Sequence, residues 1–175
     1  DKMSKSKGNV MYADELAQIF GVDGVRHYVL SEMPYASDGS ITYESLVGRY
    51  NSDLANNLGN LVKRTADMSQ KYFGGTVQEP SEPEELDFEL KKAVSDAVDS
   101  FCENMDGLHV ADASEAVFSI FRRANKYIDE TAPWVLAKDE AKSDRLAEVL
   151  YNLAESITVG ASLLYSFLPE TAEKI

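Results

Sequence analysis

The chain has 175 residues, 44% of them hydrophobic, and a formal net charge of −13 at pH 7. This size and apolar fraction provide for one good core and argue against a disordered chain, while no apolar stretch approaches the ~18 residues that span a bilayer. The acidic balance disfavours a general nucleic-acid binder, and the single cysteine, Cys102, excludes an internal disulfide and is expected to be a small buried residue on a helix.

The first segment, residues 1–40, is made of short elements broken by glycine and proline. Residues 2–9 read KMSKSKGN, a cationic loop rich in hydrogen-bond donors that can fold around a polyphosphate. A solvated charged terminus is the alternative, and spacing alone favours it. Two short helices are predicted next, at 14–20 and 23–32, each begun by an aspartate suited to N-capping (Asp14 and Asp23).

From residue 41 onward the pattern is helical. Thr42, with Ser45 behind it, begins a long helix over about 43–73, which Gly74-Gly75 ends. Further helices are predicted at about 84–106, 111–130 and 142–168, and Pro133 should end or kink the chain between the last two. The predicted fold is all-α, an antiparallel helical bundle at 41–175 preceded by the small segment 1–40. The core stripe of the long helix is predicted to contain Val47, Tyr50, Leu54, Leu58, Leu61, Thr65, Met68 and Tyr72.

Polar residues flank that stripe on the long helix. Asn60 and Arg64 are four residues apart and therefore project from one helical face, and Asn57 lies one turn earlier on roughly the same face. An amide and a guanidinium there can meet the edges of an unstacked base, as in single-stranded RNA recognition. The alternatives are an exposed helical asparagine, a surface salt bridge for the arginine, and interhelical hydrogen bonding by this asparagine-rich stretch.

Trp134, the only tryptophan, has two interpretations. It is either a core anchor between two helices or a stacking platform for a base, and Pro133 would place it at a helix end where the ring can face outward. A basic cluster precedes it on the same predicted helix and can contact phosphates or pair with Asp129 and Glu130. The cluster consists of Arg122, Arg123 and Lys126.

The string KMSKS at 2–6 matches a signature of the class I aminoacyl-tRNA synthetases, which the chain therefore resembles. The resemblance implies that Lys5, with Lys2, acts in amino-acid adenylation, and that Lys2, Ser4, Lys5 and Ser6 bind the phosphates of ATP. It also implies that residues 10–40 form the stem-contact region that follows this motif. The partner signature HIGH is missing, since His27 and His109 stand alone, so this chain by itself is not expected to form an adenylate.

Residues 51–64, 127–134 and 168–172 are similar to the methionyl-tRNA synthetase family, over its C-terminal part. That resemblance implies an anticodon-binding domain in which Asn60, Arg64, Trp134 and Asn57 contact tRNA. It also implies ATP as substrate of the whole enzyme, methionine tRNA including initiator tRNA and the catalytic domain of the same enzyme as partners, a cytoplasmic location, and no metal or membrane. The alternative function is an acidic helical protein-interaction module, because residues 79–106 carry a net charge of −8; tRNA titration separates the two.

Overall fold

The computed structural model describes residues 3, 6, 10–33 and 39–175, and each regular element within those ranges is helical, which confirms the all-α prediction. The division at residue 40 stays a prediction. No helix in the described part of the chain is both long and apolar enough to cross a membrane. The elements are α1 (Ala13–Glu32), α2 (Tyr43–Arg49), a π-helical segment (Tyr50–Gly59), α3 (Asn60–Phe73), α4 (Glu85–Asp106), α5 (Val110–Thr131), α6 (Pro133–Leu136), a 3-10 turn (Glu140–Lys142), α7 (Ser143–Leu164) and α8 (Pro169–Lys174).

Helix α1 joins the two short helices that the sequence predicted. Gly21 sits at the junction with φ 74° and ψ 161°, a conformation that glycine adopts without a steric penalty. The prediction that Asp14 caps the start of a helix is wrong: Tyr12 precedes α1 without a side-chain hydrogen bond, and Asp14 lies in the first turn. The same prediction for Asp23 is also wrong, because its side chain bonds to α8 instead. Asp23 is buried, and its Oδ2 accepts a hydrogen bond from the backbone amide of Thr171 at 2.6 Å, which ties α1 to α8.

The predicted helix over 43–73 is a continuous rod formed by α2, the π segment and α3. Thr42 caps it by accepting from the amide of Ser45 at 3.0 Å, and Gly74 ends it in the left-handed conformation with φ 63°. The predicted core face is confirmed in α3, where its residues are buried or partly buried, but the prediction is wrong at Val47, which is 41% exposed. The i→i+5 bonding of a π helix widens each turn, so a face drawn with α-helical spacing does not continue through it.

The main core is built around α5, whose apolar side is packed between α4 and α7. Phe118, Phe121, Tyr127 and Ile128 are all essentially inaccessible to solvent. The connection between α4 and α5 at 107–109 is short, so these two neighbours run antiparallel, as the bundle prediction requires. The prediction for Cys102 is wrong: it is exposed, since the buried side of α4 follows the spacing of Leu90, Val94, Ala97 and Phe101, about 100° away.

Gly160 of α7 allows the ring of Phe121 to approach the helix backbone. An added Cβ would lie 2.8 Å from Cζ of Phe121 and closer still to Cε1, and the ring is fully buried. Gly160→Ala is therefore expected to lower the free energy of unfolding by about 1–3 kcal/mol, because the core must shift to admit the methyl group. Urea titration measures this. Gly48→Ala is the control, since nothing lies within 4 Å of its added Cβ, and it should stabilise by about 0.5–1 kcal/mol.

A buried polar cluster, the Asp87 clamp, joins three helices: it consists of Asp87 of α4, Tyr127 of α5 and Arg145 of α7. Arg145 donates from Nη1 to Asp87 Oδ2 at 2.6 Å and from Nη2 to Oδ1 at 3.0 Å, and the Tyr127 hydroxyl donates to Oδ1. The backbone amide of Glu84 completes the set by donating to Oδ2 at 2.7 Å. Burial raises the pKa of Asp87, but hydrogen bonds from Arg145, Tyr127 and this amide hold the pKa below its ordinary value of 3.8.

The direction of this pKa shift predicts acid sensitivity. Because the carboxyl pKa is lower in the folded than in the unfolded protein, the unfolded state binds more protons near the ordinary value, and stability rises with pH there. The contribution of Asp87 is complete above about pH 5 and is lost as the pH falls through the folded pKa. Asp87→Asn is expected to flatten the acid side of the curve of unfolding free energy against pH, measured by urea titration between about pH 6 and pH 2.5. An unchanged slope in this variant would show that Asp87 does not contribute to acid unfolding.

Candidate nucleic-acid interface

The chain turns sharply between α5 and α6, and the turn presents Trp134 to solvent. Ala132 ends α5 with φ 45° and ψ 62°, a left-handed conformation that is uncommon for a residue with a Cβ. Pro133 follows, buried at the first position of α6, where its missing amide proton costs nothing. The next residue is Trp134, 44% exposed, so the indole is not sealed within the bundle.

Arg64 of α3 lies against the end of α5 that precedes this turn. Its Nη2 is 2.9 Å from Oδ1 of Asp129, five residues before Trp134, and the side chains of Arg64 and Asp129 are 30% and 68% exposed. The sequence suggests Asp129 as a partner for the basic cluster of α5 and does not predict its contact with Arg64. An ion pair this exposed contributes little to stability, about 0–1 kcal/mol, and the guanidinium can exchange its partner.

Asn60 is exposed and opens α3 one turn before Arg64. The four-residue spacing places both side chains on one face of that helix, as the sequence predicted. Through the Arg64–Asp129 pair, this face meets the end of α5, and the exposed Trp134 follows five residues after Asp129, in α6. We call the three side chains of Asn60, Arg64 and Trp134 the candidate interface. It offers an amide, a guanidinium and an indole face to solvent.

Asn57 departs from the prediction that it belongs to this surface. Its side chain is buried; Nδ2 donates to the backbone oxygen of Phe118 at 3.3 Å, and Oδ1 accepts from Asn125 at 3.1 Å. This is the interhelical hydrogen bonding that the asparagine-rich stretch left open. Asn57 lies within the π segment and Asn60 immediately after it, so a face drawn with α-helical spacing does not carry over from one to the other.

The basic cluster of α5 is neutralised by neighbouring acids. Arg122 pairs with Glu115, and Arg123 lies 2.9 Å from Glu130 and 3.3 Å from Glu89. Lys126 adds a contact of 3.2 Å to Glu130. The alternative of a paired face therefore describes this cluster, with Glu130 as the expected partner of Arg123 and Lys126, whereas Asp129 pairs with Arg64.

A polar contact that the sequence did not predict ties α1 to the rod that carries Asn60. His27 is buried against the ring of Phe118, and its Nε2 lies 3.0 Å from Oδ2 of Asp53 in the π segment. Burial raises the pKa of Asp53, but hydrogen bonds from His27 and Ser52 hold the pKa below its ordinary value. The link fixes the π segment against residues that lie far from it in sequence, which periodicity cannot reveal.

Of the KMSKS residues, the structure describes Met3 and Ser6. Lys2, Ser4 and Lys5 lie outside the described residues, and Ser6 is exposed. The predicted roles of these four residues in binding ATP phosphates, and of Lys5 and Lys2 in adenylation, therefore stay predictions. Within residues 10–33 and 39–175, no group of three or more histidine, cysteine, aspartate or glutamate side chains is arranged to hold a metal ion.

Two family models match the chain. Residues 1–66 match the model described as tRNA synthetases class I (M), which places this helical protein in the class I tRNA synthetases. Residues 77–175 match the anticodon binding domain of methionyl tRNA ligase. The chain belongs to this family, as its resemblance to methionyl-tRNA synthetases indicated, and the match favours the anticodon-binding function over an acidic protein-interaction module.

Relatives and solved structures agree with this assignment. The chain is 51% identical over 174 residues to a methionine–tRNA ligase of Clostridium acetobutylicum and 48% identical to one of Caldanaerobacter subterraneus, and it spans 27% of the length of each. It is similar to the Mycobacterium tuberculosis methionyl-tRNA synthetase in complex with methionyl-adenylate, with a TM-score of 0.94 at 38% identity over 99% of this chain and 34% of that one.

Proposed function

We propose that this chain holds the anticodon of methionine tRNA, including initiator tRNA, as part of a methionine–tRNA ligase. The observation that carries the proposal is the exposed indole of Trp134, five residues after the aspartate that pairs with Arg64, in a chain of the anticodon-binding family. An exposed aromatic ring and an arginine that can exchange its partner are the kinds of side chain that bind unpaired bases.

Each residue of the candidate interface has a distinct part in this proposal. Trp134 offers a flat face for stacking by an unpaired base, which does not depend on the identity of the base. Arg64 exchanges Asp129 for a base edge or stacks its guanidinium plane, and Asn60 supplies both a donor and an acceptor to a base edge. Stacking then supplies affinity, and the two polar side chains supply the choice of anticodon.

The charge of the chain predicts how this binding should respond to salt. With a net charge of −13 and the basic cluster of α5 paired to glutamates, we expect this helix to make few phosphate contacts. Counterion release is therefore small, and the logarithm of affinity should fall only gently with the logarithm of salt concentration. Stacking and base contacts provide most of the affinity.

The catalytic part of the proposal concerns the longer enzymes. Methionine–tRNA ligases extend well beyond this chain, which spans 27% of their length, and we assign ATP use and aminoacylation to the whole enzyme in the cytoplasm. There the catalytic domain is the partner of this chain, and Lys2, Ser4, Lys5 and Ser6 contact the phosphates of ATP. The ammonium of Lys5 would stabilise the negative charge that develops on departing pyrophosphate.

Filter binding with methionine tRNA, beside the same tRNA carrying an exchanged anticodon, tests the proposal. The two RNAs share the acceptor stem, the elbow and the total charge, so any difference in affinity comes from the anticodon. Tighter binding of the native anticodon across a range of salt concentrations supports the proposal. Equal affinity for both RNAs, or no binding of either while a basic protein partner binds, overturns it.

A further inference from the structure

The segment that contains Trp134 connects the end of α5 to the start of α7. Residues 132–142 connect the last turn of α5 to the first turn of α7 and contain α6; we call them the Trp134 loop. On one side, a cavity of about 320 Å³ is lined both by loop residues, Leu136 and Ala141, and by Glu84 and Arg145 of the bundle. Pro133 is buried and Leu136 and Ala137 pack in part against the core, so the position of the loop depends on these contacts and on where its two ends are held.

The Asp87 clamp holds both ends with one carboxylate. Tyr127 stands in the final turns of α5, and its backbone oxygen accepts from the hydroxyl of Thr131, the last residue before the loop, at 2.7 Å. Arg145 stands in the first turn of α7, directly after the loop. Asp87 accepts from Tyr127 and pairs in a two-pronged contact with Arg145, so it fixes the distance between the two ends.

We propose that Asp87, through Tyr127 and Arg145, is a positioning residue that sets the orientation of Trp134 for tRNA. The expected effect on tRNA binding rests on the proposed function, whereas the expected effect on the position of Trp134 does not. Asp87 does not touch the RNA. Its carboxylate is completely buried and accepts four hydrogen bonds. Three come from the two helices that bracket the loop, one from Tyr127 and two from Arg145, and the fourth comes from the amide of Glu84 at the start of α4.

The geometry distinguishes this role from support of the core in general. A second buried carboxylate, Glu148 of α7, is equally inaccessible and accepts from the amide of Ser81 at 2.8 Å, from Asn152 at 3.0 Å and from Lys91 at 3.3 Å. The contact with Ser81 fastens the connector before α4. Asn152 also donates to the Tyr127 hydroxyl at 3.4 Å, so Glu148 reaches the Asp87 clamp only through this longer, shared contact. Glu148→Gln is therefore a matched control: a buried carboxylate of the same bundle loses its charge while all four hydrogen bonds to Asp87 are kept.

Trp134 reports its own position, since it is the single tryptophan of the 175-residue protein. Tyr127→Phe removes one donor without changing shape, and Arg145→Lys keeps the charge but loses the two-pronged contact. Each is expected to shift the emission maximum of Trp134 and to change its quenching by acrylamide and its anisotropy, while the far-ultraviolet dichroism stays native. Asp87→Asn should show the largest change; where it fails to fold, the two milder variants carry the test.

The same variants are then titrated with methionine tRNA. We expect about a 10-fold loss of affinity in Tyr127→Phe and Arg145→Lys, because small displacements of a positioned group are costly. Glu148→Gln should change neither the Trp134 emission nor the affinity. The proposal is overturned if Trp134 fluorescence is unchanged in all clamp variants, or if Glu148→Gln changes it to the same extent. If fluorescence changes but tRNA affinity does not, the positioning of the loop stands and the role of Trp134 in tRNA binding is what fails.

Discussion

Replacing Trp134 with alanine is expected to weaken binding of methionine tRNA by about 1–3 kcal/mol, the usual contribution of one stacked base. The indole is 44% exposed at the start of a four-residue helix, and its removal takes away a stacking surface without opening a cavity in the core. The free energy of unfolding should therefore change little. Filter binding and urea titration on the same preparation measure the two quantities separately.

Phe88→Ala is the matched control for this variant. Phe88 is an aromatic residue of α4 that is at least as exposed as Trp134 but lies outside the candidate interface. Its removal tests whether any exposed ring contributes to RNA binding through nonspecific contact. Equal losses of affinity in Phe88→Ala and Trp134→Ala would contradict a specific stacking role for the indole.

Removal of Asp87 is expected to have the largest effect on folding. Asp87→Ala leaves the guanidinium of Arg145, whose side chain is only 14% exposed, without its two-pronged partner. Arg145 keeps only the contact of its Nε with the exposed side chain of Glu84, at 3.2 Å. Breaking a buried pair from one side usually costs about 3–5 kcal/mol. The free energy of unfolding, from urea titration near neutral pH, should fall by that amount.

Asp96→Ala provides the comparison on the same helix. Asp96 pairs with Lys92 one turn away, and both side chains are well exposed, so water replaces the lost contact and the change should stay within about 0.5 kcal/mol. A similar loss in Asp96→Ala and Asp87→Ala would mean that the buried cluster contributes no more than a surface pair. The polar connection between α4, α5 and α7 would then lose its proposed importance.

Periodicity was sufficient to predict the main helices because their burial is decided by local spacing. The rod over 43–73, its Thr42 cap and its Gly74 end follow from residue types whose conformational preferences act within one turn. The failures at Val47 and Asn57 have a common cause, since a π segment stands between the rod's two α-helical parts. Single-sequence spacing assumes a constant 3.6 residues per turn and cannot anticipate that change.

The candidate site could be predicted in part. Asn60, Arg64 and Trp134 are solvent-accessible, as their positions beside the core stripe and after a proline indicated. The contact between α3 and the end of α5 was not predictable, because the Arg64–Asp129 pair joins residues 65 apart in the chain. The same limit applies to Asp87 and Arg145, which are 58 apart and look like ordinary surface charges in the sequence.

The most direct test of the central claim combines variants with an exchanged anticodon in a thermodynamic cycle. In the unmodified protein, exchanging the anticodon should weaken tRNA binding markedly. In Arg64→Ala, and still more in Arg64→Ala combined with Asn60→Ala, the same exchange should cost less, giving a coupling energy of about 0.5–3 kcal/mol. Losses that add to within about 0.3–0.5 kcal/mol would show that these side chains and the anticodon act independently, and would contradict the account.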